Sequence, residues 1–191
     1  MIKNLFNVLK KDPYALTGVL IYLFFIIIAI FADLIAPNDP LRILFNSSGL
    51  ARNIDPGREF LLGTTSNGRD IFSQLVHGSR NALYVGLTAA LAVAILGTIV
   101  GLISGYFGGW VDNLIMRLAD IALGIPFLPF VIVLAAFLGP SSWNVVIAIS
   151  ILLWPNSGRV IRSQVLSLRE RAYIESAKVS GCSNLRIIFV H

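Results

Sequence analysis

The chain of 191 residues carries charged side chains at only 13% of its positions, whereas ordinary soluble domains carry about 25%. Hydrophobic residues reach 56%. These proportions exclude a typical soluble domain and indicate a membrane protein. The formal net charge is +5, so the placement of the basic residues can indicate how the chain is oriented in the membrane.

Three apolar stretches, taken in chain order, predict membrane-spanning helices. Residues 13–32, 81–111 and 121–158 contain no charged residue, and about 20 residues suffice for a helix to cross the hydrocarbon core. The last stretch as a single helix would be about 57 Å long, which is nearly twice the hydrocarbon thickness. It must therefore fold back, and Gly139 and Pro140 predict the turn. The predicted spans are residues 13–35, 80–105, 115–138 and 143–159.

The basic residues predict that both ends of the chain are cytoplasmic. Four crossings return the chain to the side on which it begins, and both ends are rich in lysine and arginine. Such an excess is typical of the cytoplasmic side of a membrane protein. The loop of residues 37–79 is then extracytoplasmic, although it also holds arginines, which are balanced by acidic residues.

Small residues recur at every fourth position of the second predicted span. Gly97, Gly101 and Gly105 form one such row. Helix backbones can approach closely along rows of small residues, so we predict that this row is a helix-packing surface. A second row beside it favours the same interpretation; its members are Gly86, Ala90, Ala94 and Thr98.

Glycine and proline predict two further interruptions. The segment "GYFGGW" at residues 105–110 predicts the end of the second helix, and the charged residues beyond it are expected at the membrane–water interface: Asp112, Arg117 and Asp120. Pro126 and Pro129 lie inside the third predicted span and predict a kink there. Such a kink would either line a cavity near a transport path or pack against neighbouring helices.

Several chemistries lack the residues that they need. The chain has two histidines and one cysteine, too few for a zinc site, and no lysine follows a glycine, so it has no phosphate-binding P-loop. His77 lies near Ser73 and Asp70, but an amphipathic helix on the outer face explains that stretch better than a catalytic site. The sequence therefore predicts no catalytic, cofactor-binding or metal-binding residue.

The charged segment near the C-terminal end predicts two short helices that meet at an angle. Residues 166–180 are predicted to form one amphipathic helix. Gly181 permits a left-handed stop, and Ser183 can cap a second helix. Residue chemistry alone leaves two interpretations open, a docking surface for a partner protein or a helix that lies in solvent or on anionic lipid.

The same segment, "YIESAKVSGCSNLRIIFVH", resembles the Glu-Ala-Ala-x3-Gly motif of ABC importer permeases. Ser176 replaces the central alanine of the motif. The likeness continues upstream through "LGTTSNGRDIFSQLVHGSR", "GYFGGWVDNLIMRLADI" and "WPNSGRVIRSQVLSLRERAYIESA". Over nearly the whole chain the sequence resembles the C-type permease of dipeptide, oligopeptide and nickel importers. The resemblance implies an ATPase-coupling segment made of Arg169, Glu170, Tyr173, Glu175, Ser176, Ala177 and Gly181.

The resemblance also implies an all-α, polytopic membrane protein with the MetI-like permease fold. We expect four of that fold's six transmembrane helices and a cytoplasmic coupling helix, and the chain to be a fragment that stops within the motif region. The expected divisions are an N-terminal segment with the first helix (residues 1–60), an extracytoplasmic amphipathic segment (61–79) and an incomplete permease domain (80–191).

The implied partners are a homologous B-type permease subunit, two ABC ATPase subunits, an extracytoplasmic substrate-binding protein and membrane lipid, with no nucleic acid. ATP and magnesium would bind to the ATPases, so this chain would catalyse no reaction. Peptide is the expected substrate, with nickel or an oligosaccharide as alternatives. The competing classes are an intramembrane enzyme and a stand-alone channel or secondary carrier; the latter is disfavoured because charges avoid the centres of the predicted spans.

Overall fold

The computed structural model describes residues 12–46 and 49–190, so the lysines before Asp12 lie outside the described part. The described residues are mostly helical, which confirms the predicted all-α class. The helices are α1 (Pro13–Ile30), α2 (Ala32–Ile35), α3 (Ile71–Phe107), α4 (Gly109–Gly124), α5 (Phe127–Leu138), α6 (Ser142–Leu168), α7 (Ala172–Val179) and α8 (Asn184–Val190). A short antiparallel pair joins β1 (Phe45–Asn46) and β2 (Gly49–Leu50).

Three of these helices, α1, α3 and α6, are long and apolar enough to cross a membrane. The pair α4 and α5 would supply a fourth crossing if the two count as one span, but their axes are bent by 88°. The kink predicted inside the span of residues 115–138 is therefore found at Pro126, where it separates two helices. Ile125 precedes a proline and is extended, with φ −83° and ψ 124°, because the ring of Pro126 disfavours a helical conformation at that position.

Two other predicted spans are longer helices in the structure. Helix α3 begins at Ile71, so the predicted boundary at residue 79 falls inside a continuous helix, and α6 extends beyond residue 159 to Leu168. Hydrophobicity marks the part of a helix that suits the membrane, whereas capping and backbone chemistry determine where the helix begins. Asp70 supplies that cap at the start of α3, since its carboxylate accepts hydrogen bonds from the backbone N–H groups of Phe72 and Ser73.

The chain divides into two compact units, Met1–Tyr84 and Val85–His191, which are described separately. In the first unit, Asp12 caps α1 by accepting hydrogen bonds from the backbone N–H groups of Tyr14 and Ala15. The loop after α2 is held by buried polar contacts. Thr64 donates to the carbonyl of Ala51 at 2.6 Å, and its hydroxyl accepts from the backbone N–H of Ile54.

In the second unit, α4 and α5 pack against α6, and α3 approaches α6 closely along one row of glycines. A Cβ atom added at Gly97, Gly101 or Gly105 would lie 2.6–2.7 Å from an atom of α6, which is closer than real Cβ contacts. The second small-residue row behaves differently. A Cβ at Gly86 would meet no atom within 4 Å, and Ala90, Ala94 and Thr98 are exposed. Within the described residues, the first row therefore forms a close helix contact, whereas packing of the second row stays a prediction.

Candidate functional site: the C-terminal elbow

The C-terminal elbow, defined as residues 172–190, consists of α7, α8 and the turn between them. Helix α6 ends at Leu168 and α7 begins at Ala172, so the single helix predicted over residues 166–180 is wrong. Arg171 interrupts it with an extended backbone, φ −80° and ψ 142°. The interruption lets the side chain of Arg169 point back to α3, where its Nη1 donates to the carbonyl of Gly105 at 3.2 Å.

The turn between the two helices of the elbow has the geometry that the sequence predicts. Gly181 lies in the left-handed region, with φ +79°. Its N–H donates to the carbonyl of Lys178, and the N–H of Cys182 donates to the carbonyl of Ala177, which together form a Schellman motif. Ser183 then caps α8 by accepting a hydrogen bond from the backbone N–H of Arg186. The predicted left-handed stop and the predicted cap are both confirmed.

The outward side of the elbow carries most of the predicted coupling residues. Tyr173, Glu175 and Ser176 are exposed, and Ala177 is half-buried. Within the described residues, Glu175 forms no ion pair, so its carboxylate is free to meet another molecule. The hydroxyl of Ser176 donates to the carbonyl of Ala172 and therefore presents only a small surface. Glu170 is exposed just before α7 and accepts a hydrogen bond from Arg169.

The inward side of the elbow is apolar but incompletely packed. Ile174 and Ile187 are buried, and they contribute to a cavity of about 130 Å³. The cavity is also lined by the last turns of α3 and α6, through Leu102, Tyr106, Val165, Leu168, Arg169 and Ile188. Apolar contact alone therefore leaves space beneath the elbow.

Polar contacts also hold the elbow against the ends of α3 and α6, a contact region that we call the seat of the elbow. Tyr106, in the last turn of α3, donates its hydroxyl hydrogen to Oδ1 of Asn184 at 2.8 Å. The ammonium group of Lys178 lies 5.8 Å from the centre of the Tyr106 ring, within the range of a cation–π contact. One tyrosine thus contacts both helices of the elbow.

A buried charge cluster lies beside this seat. Arg162 of α6 donates from Nε and Nη2 to both carboxylate oxygens of Asp112 in α4. The hydroxyl of Ser104, in the last turn of α3, donates to Asp112 Oδ1 at 2.7 Å. Ser104 is fully buried, and Asp112 is 8% exposed. The cluster therefore joins three helices, and a bidentate arginine pair is among the stronger polar contacts in proteins.

Sequence reasoning missed this cluster. Asp112 was expected at the membrane–water interface together with Arg117 and Asp120; the latter two are exposed, but Asp112 is buried. The sequence pattern marks Arg162 only as one of several basic residues near the C-terminal end. One sequence feature points to the cluster: Asp112 and Arg162 both lie close to the ends of apolar stretches. A charge that is buried at such a position needs a partner of opposite sign.

The remaining predicted residues lie outside the elbow. Gly97, Gly101 and Gly105 form the contact of α3 with α6, and Gly105 also accepts the hydrogen bond from Arg169. Pro126 and Pro129 are exposed at the bend between α4 and α5. Pro129 falls in the first turn of α5, where a missing N–H leaves no intrahelical bond unmade. Among the described residues, no group of three or more potential metal ligands exists.

Comparison with known families gives matches at both ends of the chain. Residues 97–191 match the family described as "Binding-protein-dependent transport system inner membrane component". Residues 2–56 match the family described as "N-terminal TM domain of oligopeptide transport permease C". The first match includes the elbow and the three residues of the buried charge cluster, Ser104, Asp112 and Arg162.

Curated relatives carry transport names. The dipeptide transport system permease protein DppC of Alkalihalophilus pseudofirmus is 43% identical, over 99% of this chain and 61% of the relative. DppC of Bacillus subtilis is 33% identical, over 94% and 55%. The glutathione transport system permease protein GsiD of Escherichia coli is 37% identical, over 95% and 59%. The chain thus spans about 60% of the length of these relatives.

The matches agree with one another and with the helical structure. Each family match falls on the part of the chain that resembled it in sequence, and the relatives align along almost the whole chain. From these matches, the chain belongs to the family of binding-protein-dependent transport system inner membrane components, and its N-terminal part matches the N-terminal domain of oligopeptide transport permease C.

Proposed function

We propose that this chain acts in a membrane permease subunit of an ATP-driven, binding-protein-dependent importer, and that the elbow is the surface on which an ATPase subunit docks. The observation that carries the proposal is the elbow itself. It is a helical turn with exposed Tyr173, Glu175 and Ser176, and its base rests on the ends of α3 and α6. A surface of this kind can bind a partner and pass its displacement to long helices.

The subunit would catalyse no reaction of its own. ATP and magnesium would be bound by the ATPase partners, and closure of an ATPase pair would push on the elbow. The predicted partners remain a B-type permease subunit, two ATPases, an extracytoplasmic binding protein and lipid. Apolar side chains that are exposed on α1 and α5, such as Phe24 and Phe137, support the assignment of these helices to lipid or another membrane subunit.

Peptides are the proposed substrate class, because the relatives are named for dipeptide and glutathione transport. Nickel and oligosaccharides remain the alternatives. Uptake of a labelled dipeptide, with unlabelled peptide, nickel or oligosaccharide as competitor, distinguishes the three. Absence of dipeptide uptake, with uptake of labelled nickel or oligosaccharide by the same importer, would overturn the choice of substrate without affecting the role of the elbow.

The proposed orientation places the elbow in the cytoplasm and the loop of residues 36–70 outside. Ser66 and Ser183 are both exposed, so each can be replaced by cysteine in a Cys182→Ser background. An impermeant thiol reagent on intact cells should then label position 66 but not position 183. Labelling at position 183 alone would reverse the orientation and exclude the elbow as an ATPase contact.

Two substitutions test the docking function directly. Gly181→Arg adds a bulky side chain at a left-handed position, and Glu175→Lys reverses the charge of the exposed carboxylate. In the subunit that carries this sequence, expressed with its partners, both variants should insert in the membrane but copurify with fewer ATPases. A charge-assisted hydrogen bond contributes about 1.5–3 kcal/mol, which corresponds to a loss of affinity of at least tenfold for Glu175→Lys.

Matched controls separate docking from folding. Gly139→Arg introduces the same side chain at another left-handed glycine in open space, in the turn between α5 and α6. Glu59→Lys reverses an exposed carboxylate in the loop before α3. Both controls should retain the ATPases. Normal ATPase retention and transport by Gly181→Arg and Glu175→Lys would contradict the proposed function of the elbow.

A further inference from the structure

We propose that the last turn of α3, residues 104–106, is the contact through which movement of the elbow reaches the membrane helices. We call these three residues the transmission turn. The inference rests on the proposed function, and it assigns positioning roles to residues that neither the motif nor the family matches single out. It concerns transmission after docking, which can fail while docking remains intact.

The transmission turn contacts a different part of the molecule at each of its three residues. Ser104 donates to Asp112 in α4, and through Asp112 it is joined to α6. Gly105 accepts from Arg169, in the connection that leads into the elbow. Tyr106 contacts Asn184 of α8 and Lys178 of α7. Three consecutive residues therefore join both helices of the elbow, and the connection that precedes it, to the helix bundle.

The turn is well placed to move other helices because it ends a long, continuous helix. Helix α3 has 37 residues and contains no proline. It stops at Phe107, and Gly108 follows with φ +62°, so the backbone changes direction immediately beyond the turn. A displacement at Tyr106 is therefore passed along a stiff element whose glycine row is in close contact with α6.

Polar contacts, rather than apolar packing, should determine the position of the elbow on this turn. The cavity of about 130 Å³ lies between Tyr106 and the isoleucines of the elbow, so apolar contacts there are incomplete. Dispersion contacts of this kind are not directional, whereas the Tyr106 hydrogen bond has a defined length and angle. Without that bond, the elbow can shift over the cavity instead of moving α3.

The decisive variant is Tyr106→Phe, which removes the hydroxyl group but keeps the aromatic ring beneath Lys178. In the assembled importer, we expect normal retention of ATPases and normal ATP hydrolysis. Transport per ATP hydrolysed should fall about two- to tenfold, the range that corresponds to the loss of one hydrogen bond. Tyr22→Phe, at an exposed tyrosine of α1, is the matched control and should leave this ratio unchanged.

A double-mutant cycle tests whether the effect passes through Asn184. Asn184→Ala should lower transport per ATP to a similar extent, and the double variant should be no worse than either single variant. Additive effects would overturn the assignment of the hydrogen bond. A normal ratio in Tyr106→Phe, or loss of the ATPases from it, would overturn transmission by this turn. A failure of the proposed function would be seen in a different measurement, because the importer without any substitution would then retain no ATPases.

Discussion

The two ends of α3 are each adjacent to a buried aspartate, but the two carboxylates are stabilised in different ways. Asp70 precedes the first residue of the helix and is 1% exposed, and Asp112 follows its last turn and is 8% exposed. A buried carboxylate is costly unless its charge is compensated. The comparison therefore shows which end is fixed by local structure and which by contacts between helices.

Asp70 is stabilised almost entirely by neighbours in sequence. It accepts hydrogen bonds from the N–H groups of Phe72 and Ser73, and the Ser73 hydroxyl donates to it at 2.6 Å. The amide of Asn38 adds a longer contact at 3.4 Å. The positive end of the helix dipole further favours the charge. The contacts with Phe72 and Ser73 separate only if the first turn of α3 unfolds.

Asp112 is stabilised mainly by a residue that is far away in sequence. Its main partner is Arg162, fifty residues further along, and Ser104 of α3 adds a hydrogen bond. These contacts join three helices, so they can separate while every helix remains folded. The N-terminal end of α3 is thus fixed by its own cap, whereas the C-terminal end is held by contacts that a conformational change can rearrange.

The largest effect is expected for Arg162→Ala. The variant leaves Asp112 buried with the hydrogen bond from Ser104 and the more distant charge of Arg169. Breaking a buried ion pair costs about 3–5 kcal/mol, which is the upper bound for this pair because Arg162 is 29% exposed. The free energy of unfolding in detergent measures this loss. Arg159→Ala is the control on the same helix, because its pair with Asp120 is exposed and contributes about 0–1 kcal/mol. Equal losses in the two variants would mean that the buried pair is not the contact that holds the C-terminal end of α3.

A smaller effect is expected in the middle of the C-terminal half of α3. Gly101→Ala places a methyl group 2.7 Å from the carbonyl oxygen of Gly158 and 2.8 Å from Ile161, so the helices must separate. Such overpacking costs about 1–3 kcal/mol in unfolding free energy. Gly86→Ala, which meets no atom within 4 Å, should cost nothing. A similar loss in both variants would show that the Gly101 contact does not hold α3 against α6.

A still smaller effect is expected at the N-terminal end. Asp70→Ala removes the cap of α3, which costs about 0.5–2 kcal/mol, whereas Asp70→Asn keeps an acceptor and should cost less. Hydrogen exchange at the amides of Phe72 and Ser73 reports the loss locally. If Asp70→Ala instead disturbs ATPase retention as well as this turn, the N-terminal end of α3 is not an independent local structure.

The difference between the two aspartates also explains how far the sequence predicts the structure. Helix breaks that depend on a single residue can be predicted from the sequence. The breaks at Gly108, Gly139 and Gly181 follow from glycines with positive φ, and all three coincide with predicted breaks. The aspartate cap is equally local, although hydrophobicity drew attention to residue 80 instead of Ile71 as the start of that helix.

Helix breaks and ion pairs that depend on tertiary contacts cannot be predicted from the local sequence in the same way. Nothing in the local sequence separates α6 from α7, since neither glycine nor proline occurs in residues 169–171. That break is accompanied by the hydrogen bond from Arg169 to Gly105, which is distant in sequence. The pairing of Asp112 with Arg162 has the same origin. The motif thus identified the elbow, but the residues that position it became visible only in the fold.

The smallest effect is expected for Asp33→Asn, also near the N-terminal end of α3. Asp33 accepts a hydrogen bond from Arg80 at 3.2 Å, but both side chains are exposed. Exposed pairs contribute about 0–1 kcal/mol, and salt screens them further. We expect a small loss of unfolding free energy at low salt that disappears at high salt. A larger loss that persists at high salt would mean that a partner subunit shields this pair from water. The N-terminal end of α3 would then also depend on a charge contact between segments, and the contrast with the Asp112 cluster would fail.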